Sequence, residues 1–586
     1  MADSASPPSA APAHTRAVGA ARRQDAGEDF YESIKDTLVS LTLAFILAFT
    51  FRAYIVEAFV IPTGSMAPTL LGQHAPVTCG QCGYRFAVEP GKPAEGRSRH
   101  ATCPMCHYPN TLPVRIGQAP RGPMNIVESA AGDRILVQKF VYWFGDPRRW
   151  DVVVFKNPRR PHQNYIKRVV GRPNEELWLV EGRVYTRPLD AEGNPLEDDF
   201  RIARKTDPQE NPHWERIQRM LWQPVYHSEY VPLQPEKAQE PGQWVWSLPW
   251  QADQPEAWDF RGAAGYRLEA ESGSLRFDWD HARDRGDWVW HPYNQLHANT
   301  RFGSPPRDPI EDLRLAATFR AERDGLAVRL RLGARLDDQL DDIQRQAMVP
   351  VAAYVGPDGA AALKRQDEQT GQWHVLEGSE GHYVDVGAFR AGRSRRVELW
   401  SVDQELLMWV DGRCVNRYPI ELSWSTVRQR RPLTWEDTVE AGIEVEGGPA
   451  TLFSVHLDRD IYYTSVRHPP ETTGRVGTGA MAKVGAEQRG EPVRLGRDLY
   501  FCLGDNSPLS DDSRFWGAGE LDPWVRRQYL TDPDGSMLTA YNEGAGVVPR
   551  RMIMGRAFFV YFPAALPARR DGWRIFPNFG DMRFIR

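Results

Sequence analysis

The chain has 586 residues, more than one compact core normally holds, so we expect several domains. Charged residues make up 25% of the chain and apolar residues 41%, a composition that argues against a wholly disordered protein. The formal net charge of −5 gives no sign of a nucleic-acid partner, and six cysteines are too few for a disulfide-dense scaffold.

The N-terminal region divides into a polar tail and an apolar segment. Residues 1–32 are rich in Ala, Ser, Pro and charge and are predicted to form a disordered cytoplasmic tail. Residues 33–56 are predicted to form a transmembrane anchor, since the run TLVSLTLAFILAFTF carries no charge and its extension is long enough to cross a bilayer. A buried core helix is the alternative, but the segment has no amphipathic face.

The positions of the basic residues predict the orientation of this anchor. Arg22, Arg23 and Lys35 precede the span, and only Arg52 follows it closely. Cytoplasmic flanks carry the excess of Lys and Arg, so we expect a cytoplasmic N-terminus and an extracytoplasmic remainder in a single-pass protein of the inner (cytoplasmic) membrane.

A serine in a constrained loop follows the apolar segment. Residues 62–70 read PTGSMAPTL, so Ser65 stands between Gly64 and Met66 with a proline on either side. Proline fixes φ and glycine permits a close backbone path, so such a loop can hold a hydroxyl in one place. Taken alone, this pattern is more often an ordinary turn.

Four of the six cysteines form two CxxC pairs. Cys79 and Cys82 are followed after 20 intervening residues by Cys103 and Cys106. Two such pairs are typical of a four-cysteine zinc ribbon, and we predict a structural zinc ion there, over residues 78–115. Disulfides or redox pairs are the alternative outside the cytoplasm. Four thiolates leave no open position on zinc, so no catalytic cofactor is expected.

A lysine on an apolar strand is the candidate partner of Ser65. The run YIKRVVG places Lys167 between Ile166 and a valine pair, after the apolar strand WDVVVF. Desolvation lowers the pKa of a lysine, which can then act as a general base. By itself, Lys167 would be read as a surface strand lysine.

A long β-rich region separates this strand from the last polar motif. Residues 240–460 contain runs of alternating polarity separated by Gly/Asp turns, which predict an antiparallel β-sandwich. The segment LLMWVDGRCV with its downstream strands resembles laminin-G and concanavalin-like jelly rolls. Carbohydrate or peptide binding and a spacer without a ligand both stay open, because fold does not fix function.

Taken together, the segments PTGSMAPTL, GDRILVQKF, WDVVVFKNP with YIKRVVG, and LGDNSPLSDDSRFWG resemble bacterial signal peptidase I, the leader peptidase family with a Ser/Lys dyad. The resemblance covers residues 33–77, 124–185 and 460–562. It implies a serine endopeptidase that removes signal peptides from exported preproteins with small residues at the −1 and −3 positions of the cleavage site.

The resemblance also implies individual roles. Ser65 matches the nucleophile and Lys167 the general base, while Thr63 matches the hydroxyl that forms the oxyanion hole with the Ser65 backbone N–H. Ser510 matches the serine that orients the lysine. Asp512 and Arg514 match a structural pair near the site.

The predicted fold is therefore mainly β: an antiparallel catalytic domain with one N-terminal transmembrane helix, a zinc-ribbon insertion and a jelly-roll insertion. The catalytic domain is expected in three parts, at residues 57–77, 116–239 and 461–586. The lipid bilayer and preproteins are the expected partners, and nucleic acid is not.

Three other functions are compatible with parts of the sequence. One is a catalytically inactive, signal-peptidase-like membrane receptor whose jelly roll binds carbohydrate or peptide. The retained Ser65, Lys167 and Ser510 argue against it. A self-cleaving Ser/Lys repressor is disfavoured by the apolar span, and a zinc-ribbon nucleic-acid module by the acidic balance.

Overall fold

A computed structural model describes residues 17–88, 100–106, 108–111, 114–119, 122–127, 129–230, 248–260, 265–278, 310–335, 350–367, 370–376, 383–429, 438–463, 492–507, 510–516, 521–529, 546–563, 566–567, 574–576 and 578–585. The chain is mainly β with antiparallel sheets, so the predicted fold class is confirmed.

The first helix, α1 (Ala17–Thr50), continues into a π-helical turn at Phe51–Ile55. It begins within the stretch that we expected to be disordered, because the Ala- and Arg-rich run after Ala17 has high helix propensity. Residues 1–16 lie outside the described part of the chain. The segment Tyr31–Ile55 is long and apolar enough to cross a membrane, and none of it is buried against the rest of the chain, which is compatible with the predicted anchor.

The sheet that contains Lys167, on β10, has eight strands. They are β1 (Val56–Val60), β8 (Arg134–Gln138), β9 (Val152–Asn157), β10 (Arg160–Gly171), β31 (Leu499–Leu503), β32 (Val548–Pro549), β33 (Ile553–Phe562) and β36 (Arg583–Phe584). Their order is β1-β8-β33-β9-β10-β31-β32, with β36 paired to β33. Strands from three distant parts of the sequence therefore meet in one sheet.

A four-stranded sheet extends from this one. It contains β11 (Glu175–Val180), β12 (Arg183–Pro188), β13 (Arg201–Ile202) and β30 (Val493–Leu495). The helix α2 (Trp214–Leu221) follows it in sequence.

The middle of the chain forms two packed antiparallel sheets of eight strands each. The first contains β14 (Gln223–His227), β16 (Trp258–Asp259), β17 (Tyr266–Leu268), β19 (Leu313–Ala321), β25 (Ser394–Val402), β26 (Glu405–Val410), β27 (Arg413–Pro419) and β29 (Ala450–Arg459). The second contains β15 (Trp250–Ala252), β18 (Ser272–Phe277), β20 (Ala327–Arg335), β21 (Val351–Val355), β22 (Ala360–Gln366), β23 (Trp373–Val375), β24 (Val384–Asp385) and β28 (Thr438–Glu446). One apolar core with side chains from both sheets lies between them, including Phe319 and Ile443. We call this unit the sandwich.

The sandwich begins earlier in sequence than the predicted insertion at residues 240–460. Strand β14 pairs with β29, and Tyr226 of β14 is buried in the core between the sheets. The alternation of polar and apolar residues did not reveal β14, because Pro224 interrupts this strand. The strand also begins only two residues after α2 ends.

Short two-stranded sheets complete the fold. They are β2 (Ala75–Thr78) with β3 (Arg85–Val88), β4 (His100–Thr102) with β5 (Pro109–Thr111), β6 (Val114–Ala119) with β7 (Gly122–Val127), and β34 (Leu566–Pro567) with β35 (Arg574–Phe576). The helices α3 (Trp424–Gln429) and α4 (Pro523–Tyr529) are short.

Tryptophans pack α2 against the outer face of the first sandwich sheet. The ring centroids of Trp214 and Trp409 lie 5.9 Å apart, and Trp409 packs on Trp400 at 4.7 Å. Trp222, directly after α2, packs edge-on against Trp400 at 5.5 Å. These rings cover part of the outer face of the sheet, so the sandwich packs directly against α2.

A buried ammonium joins the same two parts of the fold. Lys205 Nζ lies 2.6 Å from Asp403 Oδ1 and 2.9 Å from Asp460 Oδ2, and all three residues are buried. Asp312 lies close to both carboxylates. Because Lys205 precedes α2 and the carboxylates belong to the sandwich, their attraction holds the two parts together.

Candidate active site and cysteine cluster

Lys167 lies on β10 in the interior of the first sheet. Its backbone is paired with Val153 of β9, and the next residue, Arg168, is paired with Leu503 of β31. Strand neighbours on both sides bury the second half of β10, and Lys167 is only 3% exposed. The sheet thus supplies the apolar surroundings that the sequence predicted.

Ser65 lies in a short 3-10 turn, Gly64–Met66, that follows the extended residue Thr63. The flanking side chains of Ile61, Met66 and Leu70 are buried in one apolar cluster beside the first sheet. This cluster fixes the loop, while Ser65 itself stays partly exposed.

The two candidate catalytic side chains meet directly. Lys167 Nζ lies 2.8 Å from Ser65 Oγ and donates a second hydrogen bond to the Ile166 carbonyl at 3.0 Å. These residues are 102 positions apart in sequence. The contact is within the range in which a base can take a proton from a hydroxyl.

Burial changes the acidity of this lysine. Desolvation lowers the pKa of Lys167 to about 8, against the opposing attraction of Asp512 and Asp511. A much larger fraction of its side chain is therefore neutral near neutral pH than for an exposed lysine.

Three glycines bring the Ser65 loop close to its support. A Cβ on Gly72 would lie 2.1 Å from the Thr63 carbonyl carbon, and one on Gly132 would lie 1.8 Å from the Ile61 carbonyl oxygen. A Cβ on Gly504 would lie 2.4 Å from the Ser65 carbonyl oxygen. No other residue type fits these positions without moving the loop.

Asn506 also holds the loop, and the sequence analysis gave it no role. Its backbone N–H donates to the Ser65 carbonyl at 3.1 Å, and its Nδ2 donates to the Gly64 carbonyl at 3.0 Å. Asn506 lies inside the motif LGDNSPLSDDSRFWG, and this position was the signal that could have found it.

Two buried Arg–Asp pairs stand behind the site. Arg514 binds both oxygens of Asp512, with Nε–Oδ1 at 2.9 Å and Nη2–Oδ2 at 2.7 Å, which is the pairing expected from the resemblance. Arg168 binds Asp505 in the same way, with Nε–Oδ1 at 2.8 Å and Nη2–Oδ2 at 2.6 Å. The second pair ties the strand of Lys167 to the segment that carries Asn506.

The remaining predicted site residues lie close by. Ser510 is buried against Gly504, but its Oγ has no hydrogen-bond partner among the described residues, so the expected bond to Lys167 is not formed. Thr63 lies two residues before Ser65 and is exposed to solvent.

The four paired cysteines converge in two hairpin ends. Cys79 and Cys82 lie between β2 and β3, and Cys103 and Cys106 lie between β4 and β5. Their sulfur atoms all lie within 4.8 Å of one another, and none of the four forms a disulfide.

The spacing of these sulfurs fits a tetrahedral ion. The Sγ–Sγ distances are 3.5 Å for Cys79–Cys106 and 3.6 Å for Cys82–Cys103. Zinc–sulfur bonds of about 2.3 Å place neighbouring sulfurs about 3.8 Å apart. The cluster could therefore hold a structural metal ion, and it is compatible with the predicted zinc ribbon.

Part of the chain is similar to a known protein family. Residues 125–233, less than a fifth of the sequence, match the family described as Signal peptidase, peptidase S26. The match contains Lys167 but not Ser65.

Several individual proteins that are similar to parts of this chain are signal peptidases. The signal peptidase I of Pseudomonas aeruginosa is 42% identical over 81 residues, covering 12% of this chain and 28% of the relative. That of Pseudomonas fluorescens is 44% identical over 99 residues, covering 14% and 34%. That of Aquifex aeolicus is 25% identical over 188 residues, covering 29% and 50%. The chain thus spans between 28% and 50% of the length of these relatives.

Solved structures show only a weak similarity to this chain. A carbohydrate binding module, CBM66 from Bacillus subtilis, covers 36% of this chain and 95% of its own, at 10% identity and a TM-score of 0.21. A β-glucanase from Bacillus licheniformis covers 36% and 91%, at 10% identity and a TM-score of 0.22. Nothing about a ligand follows from similarity at these scores.

Proposed function

We propose that this chain is a membrane-anchored serine endopeptidase that removes signal peptides from exported preproteins with Ser65 and Lys167. The observation that carries the proposal is the 2.8 Å contact between the buried Lys167 Nζ and Ser65 Oγ. The matches to signal peptidases support the substrate class.

In this proposal, neutral Lys167 takes the Ser65 proton as Oγ attacks the carbonyl carbon of the scissile peptide bond. Protonated Lys167 then donates a proton to the leaving amine, and the acyl group remains on Ser65. Lys167 next takes a proton from a water molecule, which attacks the acyl carbon. As the bond from the acyl carbon to Ser65 Oγ breaks, Lys167 returns that proton to Oγ, and the dyad is restored.

The other predicted residues have supporting roles. The Ser65 backbone N–H and the Thr63 hydroxyl stabilise the oxyanion, whose charge develops only in the transition state. Ser510 orients Lys167 when substrate is bound, and the Asp512–Arg514 pair fixes the segment that carries Ser510. Substrates have small residues at positions −1 and −3.

The proposed location follows from the anchor and its flanking charges. The segment Tyr31–Ile55 crosses the inner membrane, the N-terminus is cytoplasmic, and the sheets lie outside the cytoplasm. The four cysteines hold a structural zinc ion in a ribbon inserted between the Ser65 loop and β8.

The test compares three variants of the purified full chain in detergent on a preprotein with alanine at −1 and −3. We expect Ser65→Ala and Lys167→Arg to lose cleavage by at least about a thousandfold, because arginine is not deprotonated in proteins. Lys156→Arg, at an exposed position on β9, is the matched control and should cleave like the wild type.

Equal cleavage by Lys167→Arg and Lys156→Arg would refute the role of Lys167. An inactive wild type that folds normally would instead favour the receptor alternative.

A further inference from the structure

A second cluster of metal-binding side chains lies on the sandwich, outside the proposed active site. Strands β14 and β29 pair so that His227 stands opposite His456, and Asp458 follows on the same face of β29. One ligand atom from each of the three side chains lies within 4.8 Å of the other two. His227 Nε2 lies 2.8 Å from Asp458 Oδ1. The ring centroids of His227 and His456 are 3.9 Å apart.

The neighbours of the cluster are arranged like the outer contacts of a metal site. His456 Nε2 lies 2.8 Å and 3.0 Å from the two carboxylate oxygens of Glu229. Asp458 Oδ2 accepts from Arg314 Nε at 2.9 Å, which leaves Oδ1 facing His227. A carboxylate behind a ligating histidine is common, since it orients the ring and raises its basicity.

The nearby positive charges are compensated. Arg396 Nη2 lies 3.4 Å from His456 Nδ1, but Arg396 Nε donates to Glu398 at 3.0 Å. Glu398 also lies 3.5 Å from Arg219 Nη1, so the carboxylates of Glu229, Asp458 and Glu398 oppose the three guanidinium groups of Arg219, Arg314 and Arg396.

We propose that His227, His456 and Asp458 bind a divalent transition-metal ion such as Zn²⁺. Two imidazoles and one carboxylate form a donor set that zinc prefers, and three protein ligands leave one coordination position for water. Bonds of about 2.0–2.2 Å place tetrahedral ligand atoms about 3.3 Å apart, so the 2.8 Å contact has to widen by only about 0.5 Å. The side chains of both histidines are 18% exposed, which leaves a path for the ion.

This site lies beside the cysteine cluster but is chemically distinct from it. Tyr230, three residues after His227, packs edge-on against Tyr84 with ring centroids 4.8 Å apart, and Tyr84 borders the four cysteines. An ion on His227 and His456 fixes the end of β14, and so fixes the surface on which the cysteine-bearing hairpins rest.

The experiment measures zinc bound per chain on the purified full chain in detergent, after equilibration with micromolar Zn²⁺ and gel filtration. The double variant H227Q/H456Q should hold one equivalent less than the wild type. The matched control H374Q alters an exposed histidine on β23 and should hold as much as the wild type.

Cobalt substitution separates the two sites, because only the cysteine cluster gives a thiolate-to-cobalt absorption. This band should be unchanged in H227Q/H456Q, which also shows that the variant is folded. The single variant H456Q should likewise lose the second equivalent. Equal zinc content in the wild type and the histidine variants would overturn the proposal.

Discussion

Burial distinguishes Lys167 from the exposed lysines of the chain. Desolvation lowers its pKa to about 8 from an ordinary value near 10.5. Between these two values the unfolded chain binds more protons at this residue than the folded chain does. The contribution of Lys167 to stability therefore improves as pH rises from 8 to 10.5, and charging it below pH 8 costs stability.

The same pKa predicts the pH dependence of catalysis. Only neutral Lys167 can act as a base, so kcat/KM should rise about tenfold per pH unit below pH 8 and level off above it. The measurement is a kcat/KM profile on a peptide substrate that carries no group titrating near pH 8.

A neighbouring charge offers a check on this assignment. Asp511 raises the pKa of Lys167, so Asp511→Asn should move the rise in kcat/KM to lower pH. A rise centred near pH 10.5, or one that moves to higher pH in Asp511→Asn, would contradict the assignment.

For single residues, the sequence predicted that Ser65 and Lys167 lie together. It did not predict the contacts that fix their positions. The apolar run around Lys167 predicted its burial correctly. The contacts of Asn506 with Gly64 and Ser65 join segments more than 400 positions apart, and no local pattern encodes such a pairing.

The position of the Ser65 loop depends on glycines, which have no Cβ and therefore allow close approach to its backbone. Gly72 lies so close to Thr63 and Gly64 that any Cβ must displace the loop that carries Ser65. We expect Gly72→Ala to lower kcat roughly a hundredfold, since a displacement of about 1 Å between reacting groups can cost that much. The measurement is kcat on a preprotein beside the thermal unfolding midpoint.

Gly145→Ala is the matched control for this prediction, because a Cβ at Gly145 meets nothing within 4 Å. Its activity should equal that of the wild type. If Gly72→Ala cleaved as well as this control, the close approach would have no bearing on catalysis.

The cysteine-bearing hairpins are a separate structural element. Cys79→Ser/Cys103→Ser should lose one equivalent of zinc, because hydroxyls are much poorer zinc ligands than thiolates. Cys414→Ser, on β27 and outside the cluster, should lose none. Elemental analysis of the gel-filtered proteins decides, and equal zinc in both variants would exclude the cluster as its site.

The spacing of the two CxxC pairs predicted that the four cysteines lie together, because the pattern is local and its chemistry specific. The sequence predicted the sandwich as a fold class from alternating strands. It did not predict that β14 joins the sandwich, since a strand of five residues that contains Pro224 carries too little periodicity.

At the scale of the whole molecule, buried charge joins the sandwich to the rest of the chain. Lys205→Met would leave Asp403 and Asp460 buried without their cation. Removing one partner of a buried ion pair costs about 3–5 kcal/mol, so the unfolding midpoint should fall clearly below that of the wild type. Thermal unfolding followed by circular dichroism measures it.

Lys156→Met removes an exposed lysine instead and should leave the midpoint unchanged. A Lys205→Met protein as stable as this control would show that the buried cluster does not hold the two parts together. The sequence did not predict this contact between the two parts of the fold. Lys205, Asp403 and Asp460 are far apart in sequence, and charged residues of these types usually lie at the surface.

The distance in sequence between Arg168 and Asp505 also bears on how the protein is made. The buried pair between them joins positions 337 residues apart, and β31 cannot pair with β10 until the sandwich has been synthesised. At about 5–20 residues per second, a ribosome needs roughly 17–67 seconds to cover that interval. During this time Lys167 lacks one neighbouring strand and remains more hydrated, so the burial that lowers its pKa is complete only after β31 has been synthesised.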